Sequence, residues 1–144
     1  MTKTTDIAPG LAVAAQIEKG DVASLSQQGF KTIINNRPDS EEGVPITAAA
    51  ARAEAERLGL RYEFLPVTSS TITPADLVAF DRLIKDSPKP IVAHCRSGTR
   101  CYLLWAATQA VHHRADPAAL VGEAAGKGFD IKSLPALVAR LQAS

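Results

Sequence analysis

Residues 91–107, IVAHCRSGTRCYLLWAA, decide the fold of this 144-residue chain. Ile91 to His94 is a brief run of mostly apolar residues set off by Pro88 and Pro90, which predicts a short buried strand. Cys95 to Gly98 follows as a loop. From Thr99 to Val111 the chain is then apolar nearly all round, through Tyr102, Leu103, Leu104, Trp105, Ala106 and Ala107. That is the pattern of a helix buried in the middle of a domain. Strand, tight loop and buried helix together are the unit of an α/β sheet, in which ligands sit beyond the carboxyl ends of the strands.

The same alternation recurs on both sides. Leu11 to Ala15 reads as a first strand, and Gly20-Asp21 opens a helical stretch carrying Val22 and Leu25 that Gly29 closes. Lys31 to Asn35 (KTIIN) is a buried strand, followed by a polar turn from Asn36 to Gly43. Thr47 to Leu58 is rich in alanine and ends at Gly59, as a helix does. Arg61 to Val67 reads as a strand running into the loop Thr68-Ser69-Ser70-Thr71. Thr73-Pro74 then supplies a capping hydroxyl and a proline at the first helical position. Leu77, Phe80 and Ile84 fall on one face of that helix. Asp116-Pro117 and Ser133 open two further short helices. The order predicts one α/β domain over residues 1–144, with a mostly parallel central sheet of about four to five strands flanked by helices. Residues 1–6 are expected to be a loose N-terminal tail.

Composition narrows the function. With 46% hydrophobic and 22% charged residues the balance is that of a soluble globular protein. A net charge of +1 gives no electrostatic reason for a nucleic-acid or acidic-membrane partner. No apolar run approaches the ~18 residues of a membrane span. The start, MTKTTDIAPG, lacks the layout of a secretory signal, and two cysteines are too few for a disulfide framework. A cytoplasmic, reducing location is therefore expected, where free cysteines are more often chemical than structural. No apolar stripe is left over that would call for a partner chain.

The loop His94-Cys95-Arg96-Ser97-Gly98-Thr99-Arg100 carries the chemistry. Wrapped around a helix N-terminus, Arg96, Ser97, Gly98 and Thr99 point backbone N–H groups at one spot, where the helix dipole adds partial positive charge. Gly98 lets the chain turn through conformations that other residues resist. The same field favours a thiolate at Cys95. Arg100 can offer parallel N–H bonds to a bound oxyanion. Nucleophile and anion cradle are one object, suited to attack by sulfur on a tetrahedral anionic centre.

These residues resemble the phosphatase-like domain of bacterial beta-lactamase-hydrolase-like proteins, related in fold to cysteine-dependent, dual-specificity-type phosphatases. The resemblance covers nearly the whole chain. Its marks are Gln16, GFKTIINNRPD from Gly29 to Asp39, Leu65-Pro66-Val67, HCRSGTR from His94 to Arg100, Trp105 and Gly128-Phe129-Asp130. It implies a protein-tyrosine-phosphatase-like fold, a nucleophile at Cys95 and an oxyanion-binding arginine at Arg100. Two departures stand out. Ordinary phosphatases of this kind place five residues between cysteine and arginine, whereas here there are four, the spacing of rhodanese-type sulfurtransferases. Where dual-specificity phosphatases often carry a general-acid aspartate, this chain has Thr68, Ser69 and Ser70.

Three readings follow: a hydrolase of phosphate esters working through a phosphocysteine, a sulfurtransferase carrying a persulfide on the same sulfur, and a non-catalytic module that binds anions or phosphoproteins. Each takes a small anionic or phosphorylated ligand, and none requires a metal or organic cofactor. Asp39, ahead of Glu41 and Glu42, is the candidate for the missing acid, against the plainer reading of a solvated loop. Arg37 either binds part of the substrate or braces the turn. Cys101 is either a resolving thiol for Cys95 or one more buried residue. His94 is expected to orient the loop through hydrogen bonds. His112 and His113 with the two cysteines have no familiar zinc-ligand spacing.

Overall fold

Each short apolar run bounded by glycine, proline or a polar turn becomes a four-residue strand. These are β2 (Leu11–Ala14), β3 (Thr32–Asn35), β4 (Arg61–Phe64) and β5 (Ile91–His94). In the computed structural model, which describes residues 1–143, these strands run parallel in the order β2-β5-β3-β4. The strand that carries the loop is thus paired on both sides. Its last residue, His94, lies level with Ala14 of β2 and Asn35 of β3, so Cys95 emerges from the middle of the sheet's carboxyl edge.

Among the described residues, six helices cover the sheet. On one face, α1 (Lys19–Gln27) and α2 (Ala48–Arg57) enclose Ile17, Val22, Leu25, Ile33, Ala55 and Val92. The other face carries α3 (Pro74–Asp86), α4 (Thr99–His112), α5 (Pro117–Gly126) and α6 (Leu134–Ala143) over Val13, Ile34, Ile91 and Ala93. Ile91 and Ala93 point one way and Val92 the other, the period-two alternation of a strand buried on both faces. The helix α4 is apolar all round because α3, α5 and α6 all pack against it. At the start of α3, Thr73 accepts from Asp76 N–H while Asp76 accepts from Thr73 N–H, a capping box before Pro74. Among the described residues, no helix is long and apolar enough to cross a membrane.

The N-terminus departs from expectation. Instead of a loose tail over residues 1–6, Thr5–Ala8 forms an edge strand, β1, antiparallel to β2 across the Pro9-Gly10 turn. Thr2 is tied to α1 as well: its N–H donates to Ser24 Oγ at 2.9 Å and its hydroxyl to Asp21 Oδ1 at 2.6 Å. Asp21 and Ser24 on α1, with Gln28 just past its end, hold a segment whose own sequence has almost nothing apolar to bury. The third expected strand is also shorter than predicted, ending at Phe64 rather than Val67: Leu65 N–H still donates to Asn35 C=O, but Val67 N–H reaches Asn36 C=O, one residue short of the parallel register.

Candidate functional site

The loop is anchored at both ends by backbone hydrogen bonds. Cys95 N–H donates to Ala14 C=O at 3.4 Å, Gln16 N–H to Arg96 C=O at 3.2 Å, and Tyr102 N–H to Gly98 C=O at 3.0 Å. Gly98 caps α4 at a φ of +88°, a left-handed conformation that costs any residue with a Cβ. Space is closed as well, since a Cβ there would lie 3.2 Å from Phe129 Cε1 and 3.3 Å from Ala14 O. Glycine is required on both counts.

Cys95 is 1% exposed, yet its sulfur is well supplied with donors. Gly98 N–H donates to Sγ at 3.1 Å. The Cys101 thiol hydrogen-bonds the same sulfur, and the Cys101 and Ser97 amides add to it. Together, the Cys101 thiol first, they pull the Cys95 pKa down to about 5 against the opposing effect of burial. Cys101 is wholly buried, and both burial and the neighbouring thiolate push its own pKa up. The pair is therefore asymmetric at neutral pH: Cys95 is the thiolate acceptor and Cys101 the thiol donor.

Arg100 sits apart from the arrangement that its spacing predicts. Its Nη1 lies 2.9 Å from Glu41 Oε2 and donates to Val67 C=O at 2.9 Å, while Nη2 donates to Glu41 Oε1 at 3.1 Å. The edge of the guanidinium assigned from sequence to an oxyanion is instead taken by one hydrogen bond and one ion-pair contact to Glu41 and by the Val67 carbonyl, because that carboxylate comes from the adjoining loop with its charge already in place. What remains of the guanidinium is its other edge, Nε–H and the second Nη2 hydrogen. Arg37, 5% exposed, braces the same carboxylate through Nε at 3.0 Å and reaches Gln16 Oε1 at 3.0 Å and Glu42 C=O at 2.7 Å. These bonds leave it bracing the turn.

Glu41 therefore joins two guanidinium groups, and its pKa is lowered, chiefly by the Arg100 hydrogen bond. A carboxylate whose folded pKa is depressed stabilises the fold above its unfolded pKa and loses that contribution as pH falls through the folded value. Glu41→Gln is accordingly expected to cost about 2 kcal/mol at pH 7, discounted from a fully buried pair because Glu41 is 25% exposed. Thermal melts from pH 7 to 3 check this: the gap between wild type and variant should close as acid protonates Glu41.

The remaining candidates are placed as follows. Asp39 is exposed, and its Oδ1 accepts from Ala48 N–H at 2.9 Å, so it serves the start of α2. Glu41, named second to it from sequence, is the acid that reaches the site. His94 is buried at 2% exposure and neither ring nitrogen has a hydrogen-bond partner, in contrast to the orienting bonds expected of it. Burial lowers its pKa to about 4 and keeps the ring neutral. Arg96 and Ser97 are exposed, and Ser97 Oγ donates to Thr99 Oγ1 at 3.1 Å. Among the described residues, no cluster of three or more metal-ligating side chains occurs.

Comparison with known proteins fits this geometry. Residues 4–112 match the family described as beta-lactamase hydrolase-like protein, phosphatase-like domain. The chain is 37% identical over 131 residues to the beta-lactamase hydrolase-like protein of Xylella fastidiosa Temecula1, and 36% identical over 129 residues to that of Agrobacterium fabrum. It spans 90% of its own length but only 30% of each of these relatives. A phosphatase candidate of known crystal structure from Neisseria meningitidis Z2491 is 30% identical, with a TM-score of 0.82 over 93% of this chain and 94% of that one. P. aeruginosa TpbA, as a cysteine-to-serine variant in complex with pTyr, shares the fold at a TM-score of 0.64 and 21% identity, over 83% of this chain and 70% of that one.

Proposed function

Because the chain belongs to the phosphatase-like domain family of beta-lactamase hydrolase-like proteins, we propose that it hydrolyses phosphate monoesters through a phosphocysteine on Cys95. The observation that carries this is a sulfur held ionised, with a pKa of about 5, at the N-terminus of a buried helix. The thiolate attacks phosphorus, an S–P bond forms and the P–O bond to the leaving group breaks. Water then attacks phosphorus, which returns the thiolate and releases inorganic phosphate. Loop amides and the free edge of Arg100 receive the non-bridging oxygens. Cys101 donates to the sulfur throughout.

Proton supply sets the substrate. Asp39 is tied to α2 and Glu41 is held as a carboxylate, so no acid stands ready for the departing oxygen. Leaving groups stable as anions are favoured, which points to aryl phosphates, and pTyr bound to TpbA is one such group. Phosphate release from an aryl ester is expected to exceed that from an alkyl ester by roughly 10²–10⁴ beyond their intrinsic difference. A colorimetric phosphate assay on both decides it, and an equal rate would contradict the missing acid.

A second reading, sulfur transfer, is favoured by the four residues between Cys95 and Arg100 together with that same lack of an acid. There the thiolate would attack the outer sulfur of thiosulfate, form a persulfide and expel sulfite, which needs no proton. Intact mass after incubation with thiosulfate reports it as a gain of one sulfur atom. That gain without phosphate release would replace the first reading by the second.

A further inference from the structure

Beside the loop lies a cavity of about 410 Å³ that the proposed reaction does not use. The loop supplies one rim, Ser97 and Thr99, and the end of β2 supplies the floor from Val13 to Ala15. Lys3 and Thr5 close it on the β1 side, and Lys127 and Phe129 on the side of the α5–α6 turn. No carboxylate lines it. Lys127 Nζ is held by Asp6 C=O at 2.8 Å, a neutral acceptor, and neither lysine has an ion-pair partner among the described residues. In a chain with a net charge of only +1, two uncompensated ammonium groups gather here.

The wall between cavity and loop is rigid. Phe129 packs against Gly98, where an added Cβ would lie 3.2 Å from its ring, and its ring centroid is 5.3 Å from that of Tyr102. A cationic mouth, loop hydroxyls and a fixed aromatic wall make a recess suited to a negatively charged group. It shares a rim with the loop that would hold the reacting phosphate. We propose that this recess binds a second anionic group of the substrate, so that the preferred substrate class is a phosphorylated aryl group flanked by a further phosphate or carboxylate. The inference rests on the phosphatase reading and deepens it.

Three probes test it: 4-nitrophenyl phosphate, a phosphotyrosine peptide flanked by acidic residues, and the same peptide flanked by alanine. Wild type should favour the acidic over the neutral peptide by roughly three- to tenfold in kcat/KM, the combined effect of two exposed cations. Lys3→Ala/Lys127→Ala should erase that preference while leaving 4-nitrophenyl phosphate turnover unchanged. Lys3→Glu/Lys127→Glu should invert it. A preference that survives both double variants, or none in wild type, overturns the proposal. Titration calorimetry of the two peptides on Cys95→Ser protein separates this failure from that of the phosphatase reading. If no probe releases phosphate, acidic-peptide binding that weakens three- to tenfold without the lysines still upholds the recess, and equal binding overturns it.

Discussion

Cys95→Ser is expected to reduce phosphate release to the background rate, a loss on the order of 10⁴-fold or more, while the protein stays folded. The argument is electrostatic. At pH 7 the sulfur is ionised because Cys101, Gly98 and Ser97 all direct hydrogen toward it, whereas a serine hydroxyl in the same bonds remains neutral. No base stands by to take its proton: neither ring nitrogen of His94 has a hydrogen-bond partner, and Glu41 faces Arg100 and Arg37. Stability should barely change, since the variant no longer buries a charge and its hydroxyl still accepts from Gly98 N–H. Circular dichroism melts beside single-turnover kinetics check both halves. A serine variant within tenfold of the parent would remove Cys95 from the chemistry. Phosphate that binds equally to both proteins, with neither turning over, would leave an anion-binding module.

The strand-loop-helix unit at the centre was legible because its signals are strong and local. β5 and α4 are buried on every side, so hydrophobicity alone marks them, and the proline and glycine that bound the loop mark its ends. β1 was not legible for the opposite reason. Its one buried apolar residue is Ile7, and what holds the segment is a hairpin partner and polar side chains on α1, which no pattern within residues 1–8 encodes. The same distinction separates the site residues. Cys95 and Gly98 follow from backbone geometry at a helix N-terminus. Arg100 follows in position but not in contact, since its partner Glu41 comes from a loop 59 residues earlier. Asp39 and Glu41 look alike in sequence as members of one polar turn. Only the fold decides that one accepts from Ala48 N–H at the start of α2 and the other bridges two guanidinium groups.

Cys101 shows how much of the site's electrostatics rests on a single contact. On sequence grounds it is either a redox partner or filler, and in the fold it is the leading cause of the lowered Cys95 pKa. A hydrogen bond to a charged acceptor contributes roughly 1.5–3 kcal/mol, and 1.36 kcal/mol corresponds to one pH unit. Cys101→Ala is therefore expected to raise the Cys95 pKa from about 5 by about one to two pH units. The sign follows from which form is stabilised: the thiol of residue 101 favours the thiolate, so its removal favours the protonated sulfur, and reactivity is lost at a higher pH on acidification. Iodoacetamide alkylation of Cys95 followed by mass across pH 4–8 reads this directly. Cys101→Ser is the control, because its hydroxyl restores the donor in nearly the same volume. A general loosening of the core would shift both variants alike, whereas a donated hydrogen bond shifts alanine and spares serine. If alanine alkylates with the wild-type pH profile, the bond from Cys101 is not what ionises the sulfur. The helix dipole and the backbone amides of residue 101, Ser97 and Gly98 would then have to account for it alone.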